Sequence, residues 1–223
     1  MKRKHSILLA VLLSIILLSA VFIYETAYKN NDPPIDELKL LANQGDIDAQ
    51  NKLGAAYFNG KGIEKNAAKA QRWFRQSAEK GYAKAQYNLG IMYYVGQGVP
   101  QNHAEALNWF SKAARQGLAD AQYNLGVMYY QGAGIPQNYQ EALKLYRQAA
   151  QKGHALAQYN LGLMYLAGNS VPKDSAKAYM WLSLAAAQKV PEAVKNRDYL
   201  AAKMTPSQLA DARKLASDWK PIK

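Results

Sequence analysis

The chain has 223 residues, 49% hydrophobic and 20% charged, with no cysteine. That balance excludes a disordered or fibrous chain, and the missing thiols exclude disulfides, thiolate metal sites and cysteine nucleophiles. The net charge of +12 is spread as +3 over residues 1–30, +1 over 31–81, +2 over 82–117, +1 over 118–153, +2 over 154–190 and +3 over 191–223; a nucleic-acid groove would gather its Lys and Arg on one face, so no nucleic-acid partner is expected.

Residues 1–30 read as a targeting segment with a short linker. Lys2, Arg3 and Lys4 precede an uncharged apolar run from Ser6 to Tyr24, which Glu25 ends. As a helix this run reaches roughly 28 Å, about one hydrocarbon core. A cleaved signal peptide has a shorter apolar core and small residues at −3 and −1 of the cut. Cleavage after Ala20 would put Leu18 at −3, and cleavage after Ala27 would put Glu25 there. An uncleaved N-terminal anchor is therefore favoured over a signal peptide. The basic start stays cytoplasmic, so the rest is expected on the exported side, periplasmic in a bacterium. A cleaved, secreted or periplasmic form is the alternative. With no cysteine after the run, bacterial-type lipid attachment is excluded.

The remainder repeats every 36 residues. Leu53-Gly54 returns at Leu89-Gly90, Leu125-Gly126 and Leu161-Gly162, and Ala49-Gln50 returns at Ala85-Gln86, Ala121-Gln122 and Ala157-Gln158. Tyr57, Gly60 and Ala70 recur three times each, and Gly45, Gly81, Gly117 and Gly153 mark junctions on the same period. Such a period signals a stacked repeat architecture. Each unit reads as two helices. Ala49, Leu53 and Tyr57 share one face of the first. A Gly-rich turn follows, as at Gly60, Gly96 and Gly132. Asn66, Asn102, Asn138 and Asp174 are N-caps for the second helix, with capping-box spacing to Glu105 and Glu141 in copies two and three. That helix is expected to bury Ala70, Trp73, Ala78 and their equivalents and to end at a left-handed glycine.

The organisation follows: a leading half repeat over 34–48, repeats over 49–84, 85–120, 121–156 and 157–192, and a helical cap over 193–223. Thr205-Pro206-Ser207-Gln208 supplies an N-cap, a proline at the first helical position and a glutamine at the third. A solenoid needs such atypical ends to cover its open core.

The pattern A-Q-x-x-L-G-x-x-Y-x-x-G-x-G-[IV], then A-x-x-W and A-A-x-x-G, resembles the Sel-1-like repeat family, relatives of tetratricopeptide repeats. The resemblance implies an all-α fold, a right-handed α/α superhelical solenoid of 36-residue helix-turn-helix repeats with a C-terminal helical cap. It also implies work as a scaffold or adaptor that binds proteins. Disulfide-bearing secreted members are a branch this chain cannot join. Ser170 stands where the other copies have the second turn glycine, Lys189 replaces the terminal glycine, and Leu145 replaces tryptophan.

Chemistry is hard to place. The turns Gly60-x-Gly62 and Gly96-x-Gly98 lack the third glycine and the preceding strand of a nucleotide fingerprint, so they read as turns. His103 and His154 have no carboxylate or histidine at ligand spacing. Asp46 and Asp48 lie at a repeat junction, and no serine sits in a G-x-S-x-G elbow. No catalytic residue, metal or cofactor is expected.

The informative feature is the first helix's far face. With Leu53 at zero and about 100° per residue, positions 51, 55 and 58 fall on the opposite side. In the later copies these are Tyr87, Ile91 and Tyr94, then Tyr123, Val127 and Tyr130, then Tyr159, Leu163 and Leu166. Tyrosine pairs contact area with a polar tip and is enriched at recognition surfaces. On this basis Phe58, Tyr87, Tyr94, Tyr123, Tyr130 and Tyr159 wall a concave groove for a peptide or partner helix, with Asn88, Asn124 and Asn160 available either to bond a ligand backbone or to bond locally. The competing use of the stripe is packing against the adjacent repeat. A tyrosine ladder also suits a cell-wall polysaccharide, and a hydrolase is the third reading.

Overall fold

The computed structural model describes residues 33–222. The expected anchor lies outside them. Among the described residues every regular element is helical: α1 (Ile35–Asn43), α2 (Ile47–Asn59), α3 (Ala67–Glu79), α4 (Ala83–Val95), α5 (His103–Arg115), α6 (Ala119–Gln131), α7 (Tyr139–Gln151), α8 (Ala155–Ala167), α9 (Ser175–Ala187), α10 (Pro191–Ala201) and α11 (Pro206–Asp218). None is long and apolar enough to cross a membrane. Helices α1 to α4 pack in sequence, as do α6 to α10, with α11 against α9, in an α/α solenoid fold of helix-turn-helix repeats. The chain divides into two compact units, one ending at Trp109 within α5 and the other beginning at Phe110.

Local chemistry sets the helix ends. The side chains of Asn66, Asn138 and Asp174 accept the amides of Lys69, Glu141 and Lys177, and Asn102 accepts that of Glu105. Each satisfies an amide that the helix leaves unpaired. The return half of the expected capping boxes is not made: the Glu105 carboxylate takes the Trp109 indole N–H, and Glu141 pairs with Lys144. Among the described residues the complete box forms only at Thr205 and Gln208. The first helices α2, α4, α6 and α8 all end on a left-handed glycine, Gly60, Gly96, Gly132 and Gly168, with φ of 73–77°. Ser170 (φ 60°) and Lys189 (φ 65°) hold the same backbone region with a side chain attached.

In the first unit α3 packs on α2 across Gly54. A Cβ there would lie 2.7 Å from the Phe74 ring, so the absent side chain is what lets the helices close. Phe74 is buried with Ala55, Ala70, Ala78, Leu89 and Met92. In the second unit Gly126 faces Tyr146 and Gly162 faces Leu182 in the same way. The repeat pattern predicts a buried tryptophan on the second helix, and Trp109 and Trp181 are buried at 6% and 7% exposure. Trp73, however, is only half-buried. The deepest position is the next residue: Phe74, Phe110, Tyr146 and Leu182 are all at most 1% exposed.

Candidate interaction surface

The first helix of each repeat is buried on more than one side. In α4, Ala85, Leu89 and Met92 meet the core while Asn88 and Ile91, well round the helix, are buried too. A helix apolar nearly all round is one with neighbours all round. That decides the far stripe. Phe58, Tyr123 and Tyr159 are 5%, 2% and 4% exposed, so their contact area is used within the chain. Phe58 lies against Phe74. Tyr123 stacks on His154 at 4.6 Å and meets Tyr146 at 5.9 Å. The Tyr159 hydroxyl accepts the Asn196 amide of α10 at 3.1 Å, and burial pushes its pKa up to about 12.

The asparagines sit at the same seam. Asn88 donates to the Asn51 carbonyl oxygen at 2.9 Å, joining α4 to α2. Asn124 and Asn160 are each 7% exposed, and the Asn160 side-chain amide nitrogen is buried with no hydrogen-bond partner. Tyr87, Tyr94 and Tyr130 keep partial exposure. Tyr94 lies 5.1 Å from the His103 ring and Tyr130 lies 5.0 Å from Tyr139. Burial raises both phenols, and for Tyr130 the neighbouring Tyr139 adds to it.

Other recurrent residues are structural. Gln50 and Gln86 in the first unit, and Gln122 and Gln158 in the second, each donate to the carbonyl eight residues back, at 3.1–3.3 Å. They thereby satisfy the exposed end of the preceding helix. Their 36-residue recurrence was visible; this use was not. At the first junction Lys80 donates to the Gly45 carbonyl at 2.8 Å, and Tyr82 donates to Asp48 at 2.6 Å. Burial and that hydrogen bond push Tyr82 up to about 12. Burial alone would raise Asp48, but the Tyr82 hydroxyl and the Lys52 ammonium hold it below its usual value.

Of the histidines, His154 caps α8 by accepting the Ala157 amide on Nδ1, with Nε2 3.4 Å from Asp120. This carboxylate is 34 residues away in the chain and invisible to local spacing. His103 Nδ1 is buried without a hydrogen-bond partner. Among the described residues no three His, Cys, Asp or Glu side chains gather where a metal ion would be held.

The comparisons with known proteins agree with this geometry. The Sel1 repeat model matches residues 47–82, 83–118, 119–154 and 155–190. A protective antigen of uropathogenic Escherichia coli strains that displays an SLR fold is 35% identical over 83% of this chain, with a TM-score of 0.77. This chain spans 40% of that antigen's length. A Sel1 repeat protein from Oxalobacter formigenes is 33% identical, covering 91% of this chain and 82% of its own, with a TM-score of 0.71. An immunity protein from Pseudomonas aeruginosa, 22% identical over 90% of this chain and 79% of its own with a TM-score of 0.51, shares the fold. No curated protein sequence matches. Four matched repeats, the glycine-seated helix pairs and the capped 36-residue period place the chain in the Sel1 repeat family, whose members are generally protein-interaction scaffolds.

Proposed function

We propose that this protein is a non-enzymatic scaffold that holds a peptide or partner helix through the tyrosines its own packing leaves accessible. The observation carrying this reading is the contrast along the far stripe. Tyr123 and Tyr159 are buried, whereas Tyr87, Tyr94 and Tyr130 keep surface. In the first unit Tyr87 and Tyr94 lie two turns apart on α4; in the second, Tyr130 and Tyr139 present an aromatic pair. Rigid, partly desolvated aromatic rings are the usual anchors of a protein contact. The N-terminal pattern of Lys2, Arg3 and Lys4 before an apolar run supports an anchored scaffold that works on the exported side of a membrane.

The test is the double variant Tyr94→Ala with Tyr130→Ala, assayed by crosslinking and pull-down from the native membrane and by urea melts. Loss of the captured polypeptide with a nearly unchanged melt is expected. A large loss of stability would show that these tyrosines, like Tyr123, hold the fold. Capture of wall polymer instead of polypeptide would favour the polysaccharide reading.

A further inference from the structure

The near-neutral sum over residues 31–81 hides a segregation. Residues 31–60 carry five acidic and two basic side chains, and residues 61–80 carry six basic and two acidic. Three acidic groups at α1 and α2 are engaged locally. Asp36 pairs with Lys39 at 2.9 Å, Asp46 caps α2, and Asp48 holds Lys52 and the Tyr82 hydroxyl. Several bases of α3 are engaged too. Lys80 holds the Gly45 carbonyl, and Arg75 donates to the Tyr93 hydroxyl at 2.5 Å. Among the described residues the exposed Lys65 and Arg72 make no ion pair or side-chain hydrogen bond, and Lys69, also exposed, rests over the Tyr57 ring at 5.3 Å. The net charge of residues 61–80 is +4, against +1, +2 and +1 for the stretches one, two and three periods later. The excess is a property of this helix, not of the repeat.

Lys69 and Arg72 are one turn apart on α3 and share a side, with Lys65 just before the N-cap. Trp73 borders them. It packs against Leu38, Ala42, Ala49 and Leu53 but keeps exposed surface that Trp109 and Trp181 do not. We propose that this outer face of α3 docks an acidic segment of a protein partner. Lys65, Lys69 and Arg72 would meet its carboxylates, and the edge of Trp73 would take an apolar side chain between them. The guanidinium fork matches a carboxylate in shape as well as charge, and exposed charges of this kind set encounter rate and salt dependence. A peptide fits better than a flat anionic membrane because Glu64 and Glu79, both exposed, bracket the face in sequence; a broad surface would meet them, and a short strand lies between them. This adds a second contact face to the scaffold reading and rests on it.

The experiment uses the full chain and a fluorescein-labelled peptide of repeated Glu-Glu-Leu, read by fluorescence anisotropy at about 0.05 M and about 0.5 M salt, across which screening changes severalfold. Binding at low salt is expected. The variant K65E/K69E/R72E should bind at least about tenfold more weakly, the effect of three exposed charge pairs, and K65Q/K69Q/R72Q should fall between. Reversal of three exposed cations elsewhere, K195E/R213E/K214E, should leave the affinity within about twofold. Urea melts show that each variant is folded. Failure of the native chain to bind, equal losses in the two reversal variants, or an α3 effect seen only with phosphatidylglycerol vesicles would each overturn the proposal. The Y94A/Y130A variant should keep the peptide. If it alone loses the peptide, the acidic segment sits on the tyrosine surface; the α3 assignment then fails while the scaffold reading stands.

Discussion

Replacing Gly54 by alanine separates helix propensity from packing. In an exposed helix interior the change would stabilise by about 1 kcal/mol. Here the new Cβ would stand 2.7 Å from Cδ1, 2.8 Å from Cε1 and 3.1 Å from Cγ of Phe74. Carbon atoms are in favourable contact at about 3.5–4.0 Å, so the ring must retreat by the better part of an ångström. Cγ is among the clashing atoms, so the whole ring must move, and Phe74 is 1% exposed with nowhere to go. Overpacking a tight core costs about 1–3 kcal/mol, and a blocked ring belongs in the upper half of that range. Set against the propensity gain, the net expectation is a loss of about 1–2 kcal/mol in urea melts, valid where the denaturant slope is unchanged. A double-mutant cycle isolates the cause. Phe74→Ala alone should cost about 3–5 kcal/mol, but in that background Gly54→Ala should be neutral or stabilising, a coupling of about 1–2 kcal/mol or more. If Gly54→Ala stabilises the native protein, or the coupling falls below about 0.5 kcal/mol, the glycine is not what seats α3 on α2.

Leu125→Ala should cost about 2–5 kcal/mol, because Leu125 is 7% exposed on a helix packed along much of its length; a loss below about 1 kcal/mol in urea melts would contradict that burial. Lys189→Gly should raise stability by about 1 kcal/mol, since a lysine at φ 65° carries a strain that glycine does not, partly offset by glycine's freedom in the unfolded chain. Stability should fall as pH rises from about 10 toward 12. Tyr82 and Tyr159 titrate near 12 when folded and near 10 unfolded, so in that window the unfolded chain has already lost protons the folded one keeps; Tyr82→Phe should flatten the fall in melts followed by circular dichroism. A chain lacking residues 1–30 should keep its helical circular dichroism and a cooperative melt, because the first described helix begins at Ile35.

Some of this was legible without coordinates because it is local. Asn66, Asn138 and Asp174 bond amides three residues away, Gly60 closes the helix that precedes it, and the Thr205 box is complete within four residues. Such features depend on the backbone of one turn, and a sequence states them directly. The 36-residue period fixed which helix follows which, and with it the solenoid. The far stripe was different. Whether Tyr123 faces a groove or a neighbour depends on His154 and Tyr146, and whether Asn88 binds a ligand or Asn51 depends on a helix 37 residues away. Helical phase says that a side chain points away from its own core; it does not say what stands there. The displacement of the deepest position from Trp73 to Phe74 has the same origin, because the glycine that makes room for the ring is on α2. Charge behaved likewise: the sum over residues 31–81 is +1, yet only the fold shows Asp36 and Asp48 paired with Lys39 and Lys52 on their own helices while Lys65 and Arg72 are exposed. Periodicity and capping are set by interactions within one turn and are therefore written in order along the chain, whereas the identity of a side chain's neighbour is set by packing between turns far apart in sequence, and only the tertiary structure decides it.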